Sequence, residues 1–101
     1  MVKDRILIEI MARSYRQNKI FIIECEMYCR PYCEEELSMS RKIVEHIETV
    51  VRYMNDKDRF IIHHEVILGK TGKWYRDHLS QPSYYRHRKE AYRTFLRNLE
   101  A

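Results

Sequence analysis

Residues 80–99, SQPSYYRHRKEAYRTFLRNL, decide the fold of this chain. Ser80 can accept hydrogen bonds from the freed amides of a first helical turn. Pro82 fits only in such a turn, where its missing N–H is no loss. No breaker follows before Asn98, so one continuous helix is predicted. Within it Tyr84, His87, Ala91 and Phe95 recur at steps of three, four and four, with Tyr92 and Leu99 flanking. That spacing is a single apolar stripe, with small Ala91 where two helices must approach closely. The opposite face, Gln81, Ser83, Tyr85, Arg86, Lys89 and Arg93, is polar or basic throughout.

Upstream, the chain reads as a series of helices. A short one is expected from Lys73 to Leu79, anchored by Trp74 as a core residue, after a turn at Lys70–Gly72. The preceding helix carries Phe60, Ile61, Val66, Ile67 and Leu68, starts with Asp56 as its cap and ends at Gly69. Before it, Leu37, Ile43, Val44, Ile47, Val50, Val51 and Met54 give the clearest amphipathic pattern, with Glu34, Glu35 and Glu36 favourable at the helix start. In the N-terminal third, Ile6, Ile10 and Tyr15, with Leu7 and Met11, suggest an inward stripe, and Arg13 to Lys19 a polar break or bend. The run Ile20–Ile23 fits a buried strand as well as a helix. Helix is favoured because Glu24, Glu26 and Arg30 then share a solvated side and no partner strand is evident. Pro31 ends this segment. The expectation is an all-α bundle of about five helices in one domain, 1–101, with residues 1–55 as supporting helices.

Two glycines and two prolines in 101 residues suit helices better than a sheet, which needs frequent turns. No stretch approaches the roughly 20 apolar residues of a membrane span. Asp4 and Glu9 interrupt the N-terminus, which has no cleavage site of secretory type, and three cysteines are an odd number. Reduced thiols in a cytoplasmic protein are therefore expected. The net charge of +4 is uneven. Residues 1–69 hold eleven Lys/Arg against twelve Asp/Glu, whereas residues 70–101 hold eight against three. A neutral body with a basic end points to a polyanion at that end.

Other constellations carry less. Cys25, Cys29 and Cys33 lie four apart, and with His63 or His64 could make a zinc set, but Pro31 interrupts the helix and structural zinc sites favour tighter pairs. Buried thiols are the default expectation, and no metal or cofactor is expected. Adjacent His63 and His64 diverge by about 100° on a helix, so one is expected beside Phe60 and the other in solvent. His87 falls on the inward stripe. There is no Gly-rich phosphate loop, nucleophile–base pair or convincing carboxylate pair, so an enzyme is not expected.

Two helices joined by a few residues, the second basic, make the outline of a helix-turn-helix, whose second helix can enter a DNA major groove. The segment Leu79–Arg86, followed by Lys89-Glu90-Ala91 and Phe95-Leu96, also resembles the C-terminal motif of phage ArpU/RinA-type transcriptional regulators. Those proteins end in a sigma region-4-like helix-turn-helix. The run of Trp74-Tyr75, Leu79-Ser80, Tyr84-Tyr85-Arg86 and Phe95 is similar to a related uncharacterised small-protein family of minimal-genome bacteria. The likeness covers residues 56–99, with a faint trace over Ser14–Lys19. It implies a DNA-binding transcriptional regulator that touches double-stranded DNA, RNA polymerase or both; helix-turn-helix proteins often dimerise, and the apolar N-terminal third offers a surface for a homodimer. Under the resemblance, Gln81, Ser83, Tyr85 and Arg86 face base edges, while Lys73, Arg76, Arg88, Lys89 and Arg93 neutralise phosphates. Many such motifs carry glycine near the position of His78, which leaves the interhelix angle open. Two other readings share these features: a module gripping RNA polymerase or another protein, and an RNA-binding module using exposed Tyr and Arg.

Overall fold

The computed structural model describes residues 2–100, apart from the side chain of Val2. It contains four α-helices: α1 (Val2–Met27), α2 (Glu34–Arg52), α3 (Asp56–Ile62) and α4 (Gln81–Glu100). A π-helical turn, His63–Ile67, prolongs α3, and a 3-10 turn, Trp74–Asp77, precedes α4. No strand occurs among the described residues, and none of their helices is long and apolar enough to cross a membrane. The Ile20–Ile23 run is helical. The segment expected as a helix from Lys73 to Leu79 forms only the four-residue 3-10 turn.

α1 runs unbroken through Arg13–Lys19, where a break or bend was expected. Its polar residues are used as ties to α2. Tyr15 donates to Glu48 (2.6 Å), Lys19 pairs with the same carboxylate (3.3 Å), and Ser40 donates to Asn18 (2.8 Å). Asn18 in turn donates to the Ser14 carbonyl (2.8 Å), a bond made within the helix. Burial works against the Glu48 charge, yet the bonds from Tyr15 and Lys19 hold its carboxyl below the usual range. The inward stripe of α1 keeps Tyr15 as expected but not its two isoleucines. Ile6 and Ile10 are 51 % and 45 % exposed, and the buried positions are Ile8, Tyr15 and Cys25, with Met11 and Ile22 partly buried beside them. Ile8, Tyr15 and Ile22 recur every seven residues, the repeat of a helix packed lengthwise on another.

α2 follows its pattern closely, burying Leu37, Val44, Ile47, Val50 and Val51, with all three glutamates in its first turn. α1 ends at Met27, before Pro31; exposed Cys29 has φ +57 and Cys33 is exposed, while Cys25 is buried. Asn55, not Asp56, caps α3. Its side chain accepts from the Asp58 amide (2.9 Å) and donates to the Asp58 carboxylate (3.0 Å), closing a reciprocal box at the helix start. Gly69, at φ +66, terminates the π turn in a left-handed conformation open to glycine without a Cβ penalty. Ser80 restarts the chain as predicted, its hydroxyl accepting from the Ser83 amide (3.3 Å) and its carbonyl from Tyr84 (2.9 Å).

α1 lies along α2 and against the π turn, α3 packs on α4, and α4 reaches both α1 and α2. Ile61, Ile62, Val66, Ala91 and Phe95, each at most 1 % exposed, form the centre where α3 and α4 meet. At about 25 cal/mol per Å² of apolar area, this shared core is what fixes α4 relative to the rest of the chain.

Candidate nucleic-acid interface

The orientation of α4 follows from its inward residues. Tyr84, Ala91, Tyr92 and Phe95 are buried and His87 and Leu99 half-buried, as the stripe predicts. At about 100° per residue, Arg86, Lys89, Arg93 and Arg97 then fall within an arc of roughly 80° on the outward side. All four are exposed. From Arg86 to Arg97 the stripe spans about 16 Å at 1.5 Å per residue.

The expected base-contact residues divide between two sides of the helix. Arg86 and half-buried Ser83 lie on the outward side, whereas Tyr85, 44 % exposed, is turned toward α1. Gln81 is exposed in the first turn, on that same side. The expected phosphate contacts divide likewise. Lys89 and Arg93 join the outward stripe, and Arg76 is exposed on the 3-10 turn. Lys73 and Arg88 instead line a cleft between α1, the Gly69–Tyr75 segment and α4. Arg88 is held there by aromatic rings. Its guanidinium carbon lies 4.7 Å from the Tyr85 centroid, 5.5 Å from Tyr84 and 5.7 Å from Tyr92.

Electrostatics separates this end of the molecule from the other. Every ion pair within 4.0 Å among the described residues lies between Arg5 and Arg59: Arg5–Glu9, Lys19–Glu48, Arg30–Glu24, Arg41–Glu26 and Arg59–Asp56. None of the eight cations from Lys70 to Arg97 takes part.

The residue that sets this geometry is Glu65, which sequence reasoning passed over. It is 9 % exposed, on the π turn, and accepts from Trp74 Nε1 (3.0 Å) and from the hydroxyls of Tyr84 and Tyr92. One carboxylate thus joins the 3-10 turn and two turns of α4 to the end of α3. Burial, and then the Glu65 carboxylate, pushes both hydroxyls well above the ordinary phenol range. Tyr75 stacks on Tyr84 at 3.7 Å between centroids, which fastens the 3-10 turn a second time. The only signal in the sequence was a lone acid four residues after Ile61, inside an apolar stretch.

On the other side of Trp74, His64 stacks at 4.6 Å and meets Phe60 edge-on, while His63 is exposed, the division expected for the pair. Burial, with Lys70, His63 and His78 nearby, lowers the His64 pKa, and its Nδ1 is buried without a partner. No protein-family model matches the chain, and neither a curated protein nor a solved structure is significantly similar to it.

Proposed function

We propose that this protein is a DNA-binding transcriptional regulator that lays the outward face of α4 on duplex DNA. The observation that carries the reading is the stripe Arg86, Lys89, Arg93 and Arg97, four exposed cations that outnumber Glu90 and Glu100 on the same face and take no ion-pair partner among the described residues. A surplus of positive charge on one face attracts a polyanion, and each strand of duplex DNA offers a charge about every 3.4 Å of axis. In this reading α3 with its π turn is the supporting helix and α4 the recognition helix of a helix-turn-helix with an unusually long connection. Arg86 and Ser83 then face base edges, and Lys89, Arg93 and Arg97 the phosphates. The resemblance to ArpU/RinA-type regulators implies these roles for Ser83, Arg86, Lys89 and Arg93, while the long connection departs from the short turn of that motif.

A second reading has its own observation. Ile6, Ile10, Ile20, Ile23 and Met27 are exposed on α1, which suits a protein-interaction module, whether toward RNA polymerase or a second copy. Titration of duplex DNA at several salt concentrations separates the two. DNA binding predicts that Lys89→Ala weakens all sequences and flattens the salt slope by about one unit. Arg86→Ala is expected to relax preference at one base, losing about 1–3 kcal/mol of discrimination. Absence of duplex binding near about 50 mM salt, where such contacts are strong, refutes the proposal and favours the protein-interaction module.

A further inference from the structure

The cleft between α1 and α4 has features that duplex docking on the outward face does not use. Its volume is about 450 Å³, within the range of small-molecule sites. Six cations line it: Arg5, Arg13 and Arg16 from α1, Lys70 and Lys73 from the connecting segment, and Arg88 from α4. Two carboxylates oppose them. Glu9 is engaged by Arg5 (3.6 Å), and Glu65 is already occupied by Trp74, Tyr84 and Tyr92. Arg13, Arg16, Lys70, Lys73 and Arg88 therefore surround the space without an ion-pair partner among the described residues.

Arg88 is the most demanding of the five. It is half-buried, its Nε has no acceptor among the described residues, and no carboxylate among them lies within 4.0 Å of it. The tyrosine rings around it fix its position in advance. Left-handed Gly69 and Gly72 (φ +66 and +69) bracket Lys70 and Thr71, and a Cβ at Gly69 would lie 4.0 Å from the Arg16 guanidinium. Arg16 thus sits against this turn. Tyr85 adds a planar surface at the mouth: one of its faces carries Arg88, and the ring remains 44 % exposed.

A cluster of guanidinium and ammonium groups next to an open aromatic face suits one ligand chemistry, phosphate carrying a planar ring. We infer that the α1–α4 cleft binds a phosphorylated nucleotide, with its phosphates among Arg13, Arg16, Lys70, Lys73 and Arg88 and its base on Tyr85. The ligand is a free nucleoside triphosphate or the phosphorylated 5′ end of a nucleic acid. The inference does not depend on duplex docking, because the cleft and the outward stripe use different residues.

Trp74 is the only tryptophan and lines the cleft, so its fluorescence reports occupancy of the full-length chain directly. Titrating ATP and GTP, with calorimetry beside fluorescence, should give saturable binding with a Kd on the order of 10–100 μM. Inorganic triphosphate and unphosphorylated adenosine should each bind about tenfold more weakly or worse, since each supplies half of the recognition. An oligonucleotide with a 5′ phosphate, compared with its 5′-hydroxyl counterpart, tests the second source; preference for the phosphorylated end with no binding of free nucleotide assigns the site to that source. Arg16→Glu and, separately, Lys70→Ala with Lys73→Ala should weaken binding about tenfold or more, with helicity unchanged by circular dichroism. Lys42→Ala, a charge loss on α2 away from the cleft, should leave it unchanged. The inference is overturned if no ligand saturates the signal below about 1 mM, if triphosphate alone matches ATP, or if Lys42→Ala costs as much as Arg16→Glu.

Discussion

Replacing Glu65 tests the geometry most directly, because its two oxygens serve three donors from different parts of the chain. Trp74 Nε1 and the Tyr84 hydroxyl share Oε2, and the Tyr92 hydroxyl uses Oε1. Tyr84 and Tyr92 are 5 % and 3 % exposed, so Glu65→Ala would leave their hydroxyls with little access to water. A hydrogen bond to a charged group contributes about 1.5–3 kcal/mol, and stranded buried donors add a desolvation cost. Because the three bonds share one acceptor group and are not additive, the expected loss is about 3–5 kcal/mol. For a chain of this length each kcal/mol moves Tm by about 4–8 °C, so Glu65→Ala should lower it by roughly 15–30 °C. Glu65→Gln should behave differently. An amide can place its oxygen at the Oε2 position for Trp74 and Tyr84, and its NH₂ at Oε1, where the Tyr92 hydroxyl turns to accept. The loss then falls to about 1 kcal/mol, near 5 °C. Calorimetric or circular-dichroism melts of the three proteins at neutral pH decide the matter. A fall below about 5 °C for Glu65→Ala would show that the network contributes little. Equal losses for Ala and Gln would show that charge, rather than hydrogen-bond geometry, holds the site.

Three further outcomes follow from single features. The lowered pKa of His64 means that the unfolded chain takes up its proton first, so stability should fall as pH drops below the ordinary histidine value of about 6.5. His64→Phe should flatten urea-midpoint curves between roughly pH 5 and 7, and unchanged curves would contradict the burial of a neutral ring on Trp74. At the alkaline end the sign reverses. Tyr15, Tyr84 and Tyr92 are held protonated above the ordinary phenol range, so unfolding becomes easier as pH rises past about 10, and Tyr92→Phe should shrink that dependence. Finally, Asn55→Ala removes the cap of α3 and should cost about 1 kcal/mol in urea unfolding, whereas Asp56→Ala should cost little.

How far the sequence could be read depended on where each residue finds its partner. α4 was legible because its evidence is local: Ser80 and Pro82 mark the start, and Tyr84, Ala91 and Phe95 keep one face over three turns. α2 was legible for the same reason. In α1 the conspicuous isoleucines misled, since Ile6 and Ile10 are exposed; Tyr15 faces inward as expected, but Asn18, read as part of a polar break, faces α2 as well because Ser40 answers it as Glu48 answers Tyr15. That pairing joins residues 33 and 22 positions apart, beyond any local pattern. Asn55 outcompeted Asp56 by one position because the reciprocal bond to Asp58 needs that three-residue step. The candidate site shows the same division. Outward Arg86, Lys89 and Arg93 are a matter of helical phase alone. Arg88, read as one more phosphate contact, belongs to the cleft because Tyr85 and two buried tyrosines gather around its guanidinium. Those two, Tyr84 and Tyr92, are in turn placed by Glu65, 19 and 27 residues upstream. A lone glutamate in an apolar run has no local signature. Its importance arises only when the fold brings three donors to it, and the basic cleft arises with it.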